Sequence, residues 1–193
     1  RAAVLFDCWN KHGYCMFPQQ RAIYAQLGPI LSGKSILEAG CGAGIGSAML
    51  ERWAHGGFRA TDKLDRNVEF AAQLYPWIKF QAWDTETPWQ GDKADVVVCI
   101  EALEHVADPQ RAIDNLFDAA LEEVWISTPN GNGKPRPPVN PFHVREYTVM
   151  EMFNMIGEPG RVEVMCWEDF KEFPLAIDVN DIEANPLVYR IKR

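Results

Sequence analysis

The sequence lacks several signatures that would narrow its class at once. No pair among its five cysteines (Cys8, Cys15, Cys41, Cys99 and Cys166) has a CxxC spacing, and the number is odd. That argues against a disulfide framework or a cysteine zinc site, and it fits a reducing, cytoplasmic compartment. No stretch of about 18 or more apolar residues occurs, so no membrane span is expected. Lys and Arg form no long run. Lys134, Arg136 and Arg145 come nearest, and they read as a basic loop on an acidic protein. With 19 basic against 27 acidic residues the formal net charge is -8. Such a surface repels polyphosphate at long range, so nucleic acid is not expected as a partner. There is no internal repeat and no low-complexity tract. No signal peptide is visible, and the chain opens on Arg1.

The remaining composition suits one compact domain. A hydrophobic content of 47% over 193 residues fills a single core and leaves no room for a second large one. A charged fraction of 24% is ordinary, so disorder is not the default. The expected organisation is one domain over 1–193, with an N-terminal helical cap over 1–33 and an active-site loop over 128–146.

Along the chain, apolar runs alternate with helical patterns. Strands are expected at Ser35–Glu38, Phe58–Thr61, Ile78–Ala82, Asp95–Ile100 and Val124–Ser127, with two more at Arg161–Trp167 and Leu187–Ile191. Asp95–Ile100 is a continuous β-branched run, as in the middle of a parallel sheet buried on both faces. Helices are expected at Ile45–Ala54 (Ile45, Met49 and Trp53 on one face), at Asp65–Leu74 with Asp65 as N-cap, after Asp108-Pro109, and at Tyr147–Ile156. Thr128–Pro141, rich in Pro, Gly and Asn, is longer than a simple connector needs. The fold class is therefore α/β: a Rossmann-like, doubly wound, mostly parallel seven-stranded sheet with helices on both faces, ending in an antiparallel hairpin. Ligands of such sheets sit beyond the carboxyl ends of the strands, and every motif below falls at one.

After the first strand comes Glu38-Ala39-Gly40-Cys41-Gly42-Ala43-Gly44-Ile45-Gly46. Alternating glycines allow a sharp turn and close approach of a ligand to the backbone. The pattern is GxGxG, not the GxGxxG of dinucleotide binders, because Ile45 and Ser47 stand where the last glycine would be. A carboxylate at Glu38 suits a cationic ligand better than a pyrophosphate. Asp62, about 20 residues on, is placed to accept hydrogen bonds from ribose hydroxyls. Trp83 and Asp84 follow the third strand and offer a flat apolar surface with an acceptor for an amino group.

The segment Ser35 to Leu50 resembles the first motif of the class I S-adenosylmethionine (SAM) dependent methyltransferases, ILEAGCGAG being close to its usual form. Asp62, Asp84 and the strand Asp95–Glu101 match the later motifs in order and spacing, and the resemblance runs from about Gln19 to Ile156. It implies SAM as cofactor, with Gly40, Gly42 and Gly44 along it, Asp62 on the ribose, Asp84 on the adenine, and Glu38, Trp83 and Glu101 lining the same site. Arg21 resembles an arginine that binds the cofactor carboxylate in ubiquinone-pathway O-methyltransferases.

A second cluster follows the central strand, at Glu101-Ala102-Leu103-Glu104-His105, with His143 far downstream. The first three acceptors lie within about one helical turn, and two carboxylates with two imidazoles suit Mg, Mn, Fe or Zn. This ExxEH segment with a distant histidine resembles both the small-RNA 2′-O-methyltransferases and the ubiquinone-pathway enzymes, which share the Ser127-Thr128-Pro129-Asn130 turn. The context Pro141-Phe142-His143-Val144-Arg145-Glu146-Tyr147-Thr148 departs from the RNA enzymes and looks more like small-molecule and sugar methyltransferases. Three roles stay open for the cluster: a divalent site at Glu101, Glu104, His105 and His143; general-base catalysis by His105 or His143; or pairing that only shapes the pocket. Trp83, Trp89, Phe142 and Tyr147 are candidates for an acceptor pocket, with the core as their other reading. Asn130 is the wrong context for base methylation, because Glu101 to Glu104 stand where a polar-Pro-Pro-aromatic motif belongs.

The resemblance thus implies methyl transfer from SAM to a hydroxyl, with an amine in second place, of a small-molecule or sugar acceptor. A divalent cation is the second candidate cofactor. An RNA 2′-hydroxyl acceptor and a non-catalytic SAM-binding module are the alternatives. The acceptor's identity and the oligomeric state are not specified.

Overall fold

A computed structural model describes residues 16–134, 138–157, 162–167 and 186–193. In chain order these form α1 (Pro18–Ile30), β1 (Ile36–Ala39), α2 (Ile45–Leu50), β2 (Phe58–Asp62), α3 (Asp65–Leu74), β3 (Lys79–Ala82), β4 (Ala94–Ile100), α4 (Pro109–Ala119), β5 (Ala120–Thr128), α5 (Val149–Ile156), β6 (Val162–Cys166) and β7 (Leu187–Lys192). The seven strands make one sheet in the order β3-β2-β1-β4-β5-β7-β6. β1 pairs in parallel with both β2 and β4, and β7 runs antiparallel to β5 and β6. The expected doubly wound sheet with a closing antiparallel hairpin is therefore the observed one.

Burial on both faces explains the β-branched runs. Leu37, Val97, Val124, Ile126 and Tyr189 point to one face, where Ala112, Ile113 and Leu116 of α4 cover them together with Val149 and Met152 of α5. Ile36, Val96, Val98, Trp125 and Val188 point to the other, under Ile23, Leu27 and Leu31 of the α1 region. Neighbouring strand residues alternate between the two layers, as a period of two demands. The chain reverses direction of winding between β1 and β4. Their carboxyl ends therefore open a crevice at which the glycine loop and Glu101 face each other.

Several boundaries differ from the sequence reading for local reasons. The helix expected over Ile45–Ala54 stops at Leu50 and tightens into a 3-10 turn at Glu51–Trp53. Asp65 does not cap α3. Leu64 holds that place, Asp65 is the first helical residue, and Asp62 Oδ1 instead accepts from the Leu64 amide (2.9 Å). Asp108 does cap α4, accepting from Arg111 N at 3.1 Å. The last helix starts at Val149, not Tyr147, because Thr148 and Glu151 form a reciprocal capping box ahead of it. Residues 1–15 of the expected cap, Arg136 and Arg161 lie outside the described residues.

Candidate active site

The glycine loop leaves β1 by way of left-handed backbone at Gly40 (φ 79°) and Gly42 (φ 53°). A Cβ on Gly40 would stand 2.5 Å from that of Ala102, so this glycine lets the loop after β1 meet the segment after β4. Asp62 fastens the loop to β2: Oδ2 accepts from Gly42 N (2.8 Å), and Oδ1 accepts from Asn67 Nδ2 (3.0 Å) as well as from Leu64 N.

Beneath the loop, Glu38 is fully buried and holds two hydroxyls. Tyr24 of α1 donates to Oε1 at 2.6 Å and Ser47 of α2 donates to Oε2 at 2.5 Å. Burial raises its carboxyl above the usual range, and the two hydroxyls offset part of that. The Tyr24 ring also packs on Gly46, where a Cβ would come within 2.2 Å of it. Glu38 thus anchors the loop from below.

Two hollows flank this loop. The larger, about 460 Å3, is bounded by Gly40, Gly42, Asp62, Asn67, Trp83 and Glu101, with an apolar end at Cys99, Ala112 and Leu116. The smaller, about 180 Å3, lies between the loop and α1, against Gln20 and Tyr24, and meets the first at Gly40, Gly42 and Glu101. Of the expected cofactor residues, Gly40, Gly42, Asp62, Trp83 and Glu101 therefore come together. Glu38 lines neither hollow, for the reason given. Gly44 turns toward Phe80 and Ala71. Arg21 is exposed on α1 and lines neither hollow. Asp84 faces a neighbouring hollow, ion-paired to Lys63 at 2.8 Å. Burial works upward on its carboxyl, but Lys63 and the Glu86 amide outweigh it and hold it below the usual range.

Glu101 is the single non-glycine residue with positive φ among the described residues (51°). Its amide donates to the Ser127 carbonyl (3.0 Å), and the Ser127 hydroxyl donates to Oε1 (2.8 Å). Burial pushes its carboxyl up to about 7, against the lowering effect of Ser127. Glu104 is 1% exposed, with Thr128 Oγ1 at 3.5 Å and His105 Nε2 at 3.8 Å. Burial, then the Glu101 charge, push its carboxyl well upward.

Ligand atoms of Glu104, His105 and His143 all lie within 4.8 Å of one another. Glu101 is not part of that group. The long segment is laid across the strand tips by its own backbone: Val144 N and Arg145 N both donate to the Glu104 carbonyl (2.8 and 3.3 Å). Sequence reasoning missed Tyr24, Ser47, Asn67, Asn140 and Glu146. Of the aromatic candidates, Tyr147 is buried in the core, Phe142 is 79% exposed, and Trp83 stacks edge-on with Trp89.

Comparison with known proteins agrees with this geometry. The family described as "Methyltransferase domain" matches residues 13–154. A probable SAM-dependent methyltransferase of Mycobacterium tuberculosis is 31% identical over 160 residues, covering 78% of this chain and 57% of the relative. A ubiquinone biosynthesis O-methyltransferase of Coxiella burnetii is 32% identical over 142 residues, covering 66% and 59%. The chain thus spans a little over half the length of these relatives. The N-methyltransferase NodS of Bradyrhizobium japonicum, solved with S-adenosylhomocysteine (SAH), shares the fold with a TM-score of 0.67 at 17% identity, over 91% of this chain and 88% of that one. No helix of the described residues is long and apolar enough to cross a membrane. The glycine loop, the acid on β2 and the extent of these matches make the chain a member of the class I SAM-dependent methyltransferase domains.

Proposed function

We propose that this chain transfers the methyl group of SAM to a hydroxyl oxygen of a small acceptor, a sugar or phenol type of molecule, with a divalent cation assisting at Glu104, His105 and His143. The observation that carries the reading is the meeting of that acid and two imidazoles beside the mouth of the glycine-loop hollow. The larger hollow suits the nucleoside. Asp62 offers its carboxylate to a ribose diol, and Trp83 gives the base a flat wall. The smaller hollow, lined by the loop at Gly40–Ala43 and by Gln20 and Tyr24 of α1, suits the amino-acid end.

When bound, SAM would supply an electrophilic methyl on sulfur, with a neutral thioether as the leaving group. The protein's work is mainly alignment of the acceptor oxygen with that methyl. Glu101 stands where the two hollows meet, and its carboxyl near 7 is suited to take up the hydroxyl proton. The donor set fits a cation. The Glu104 carboxylate is buried with one long hydroxyl contact, and nitrogen with oxygen ligands suits Mn, Fe or Zn. When bound, such an ion lowers the pKa of the acceptor hydroxyl. The acidic net charge and the named O-methyltransferase relative favour a small hydroxyl acceptor over RNA.

The test is transfer of labelled methyl from SAM to a panel of phenols, catechols and sugars, with and without chelator. Transfer that stops with chelator and returns with Mn2+ supports the reading. Transfer untouched by chelator removes the cation. Tight SAH binding with no product from any acceptor points to a binding module, and methylated RNA ends point to the RNA acceptor.

A further inference from the structure

A histidine can hold a cation only through a ring nitrogen whose lone pair is free. On His105, Nδ1 lies 2.8 Å from the Phe142 carbonyl oxygen. A carbonyl only accepts, so Nδ1 carries the proton and Nε2 keeps its lone pair, 3.8 Å from Glu104 Oε1. His143 repeats the arrangement with a stronger acceptor, since its Nδ1 lies 2.8 Å from Glu146 Oε1. Both side chains of that pair are nearly covered, at 12% and 16% exposure.

The Nε2 of His143 differs from that of His105 in having a neighbour. Asn140 Nδ2 stands 2.8 Å from it. The orientation of this amide is fixed by the chain, because Asn140 Oδ1 accepts from the Phe142 amide at 3.0 Å. Only the NH2 end can then face the imidazole. The same turn is closed by His143 N donating to the Asn140 carbonyl (3.1 Å). The segment 140–146 therefore supplies a histidine, the carboxylate that aims it and an amide that covers it.

We propose that Glu146 is a positioning residue that fixes the tautomer and aim of His143, and that the Asn140 amide is a placeholder on Nε2 that a divalent cation shared with Glu104 and His105 displaces. This rests on the cation reading given above. It predicts effects of opposite sign from two side chains in one turn. Glu146→Ala removes the acceptor behind the ligand and weakens cation binding about 10- to 100-fold, as loss of such an outer partner does. Glu146→Gln still offers an oxygen to Nδ1 and recovers part of that loss. Asn140→Ser removes the competing NH2 while its hydroxyl can still accept from Phe142 N. Binding then tightens about 5-fold, the worth of one net hydrogen bond.

The experiment is titration of Co2+ into the full chain, followed by its visible ligand-field absorption and by competition with a chelator. SAH binding is measured by calorimetry on the same samples. The expected order of affinity is Asn140→Ser, wild type, Glu146→Gln, Glu146→Ala. If Glu146→Ala fails to fold, the Gln and Ser variants still have to move in opposite directions. Glu146→Gln equal to wild type, Asn140→Ser equal to or weaker than wild type, or no Co2+ binding by the wild type each overturns the proposal. SAH binding that survives such a result leaves the SAM reading standing, so the two failures are distinguishable.

Discussion

Replacing Gly46 by alanine tests the docking of α1 on the glycine loop. The added Cβ would lie 2.2 Å from Tyr24 Cζ and within 2.6 Å of both Cε atoms, closer than real carbon contacts come. Tyr24 is 5% exposed and cannot swing into solvent without giving up its 2.6 Å bond to the buried Glu38. Overpacking of this kind costs about 1–3 kcal/mol. Loss of a hydrogen bond to a charged, buried acceptor adds about 1.5–3 kcal/mol. The better helix propensity of alanine within α2 returns about 1 kcal/mol. The net expectation is a loss of about 1.5–5 kcal/mol in urea unfolding, and a Tm lower by roughly 3–20 °C for a domain of this size. Affinity for SAH should fall too, since the distorted helix carries the loop. Coupling provides the control: in a Tyr24→Leu background, the same glycine change should cost under about 0.5 kcal/mol more, because the ring it strikes is gone. A Gly46→Ala variant as stable as wild type, or one whose cost is unchanged in that background, would refute the reasoning.

Asp62→Asn exchanges one of the acceptors that hold Gly42 N, Leu64 N and Asn67 for a donor. Calorimetry should find SAH bound about 10- to 100-fold more weakly, with the fold retained. Gly40→Ala puts a Cβ into left-handed backbone and against Ala102, so it should lower stability by about 1–3 kcal/mol, and a second change, Ala102→Gly, should restore part of it. Glu101 has its folded carboxyl near 7 against about 4.3 unfolded. The folded state then holds the extra proton, so stability should fall as pH rises from about 4.5 to about 7, by at most about 3 kcal/mol. Glu101→Gln should flatten that slope in urea titrations across the window, and an unchanged slope would assign it to other groups.

Much of the scaffold was legible because its determinants are local. The β-branched run at Asp95–Ile100, the glycine cluster after Glu38 and the Asp108-Pro109 pair each carry their own cause, and each stands where expected. Thr148-x-x-Glu151 was equally local and was overlooked, which set the last helix two residues early. Other features depend on pairings far apart in sequence. Tyr24 meets Glu38 across 14 positions, and His105 meets Phe142 across 37. No spacing rule reaches that far. Glu38 illustrates the difference: its residue type suggests a ligand for a cation, and only the packing of Tyr24 and Ser47 above it reveals an anchor.

The backbone at Glu101 carries a lasting consequence for anyone who would improve this protein. A glycine there would relax the left-handed turn, worth about 1–2 kcal/mol. The same change would erase the acid that stands between the two hollows. A search guided by thermostability alone should therefore be drawn to this position and harvest robustness by discarding the proposed proton acceptor.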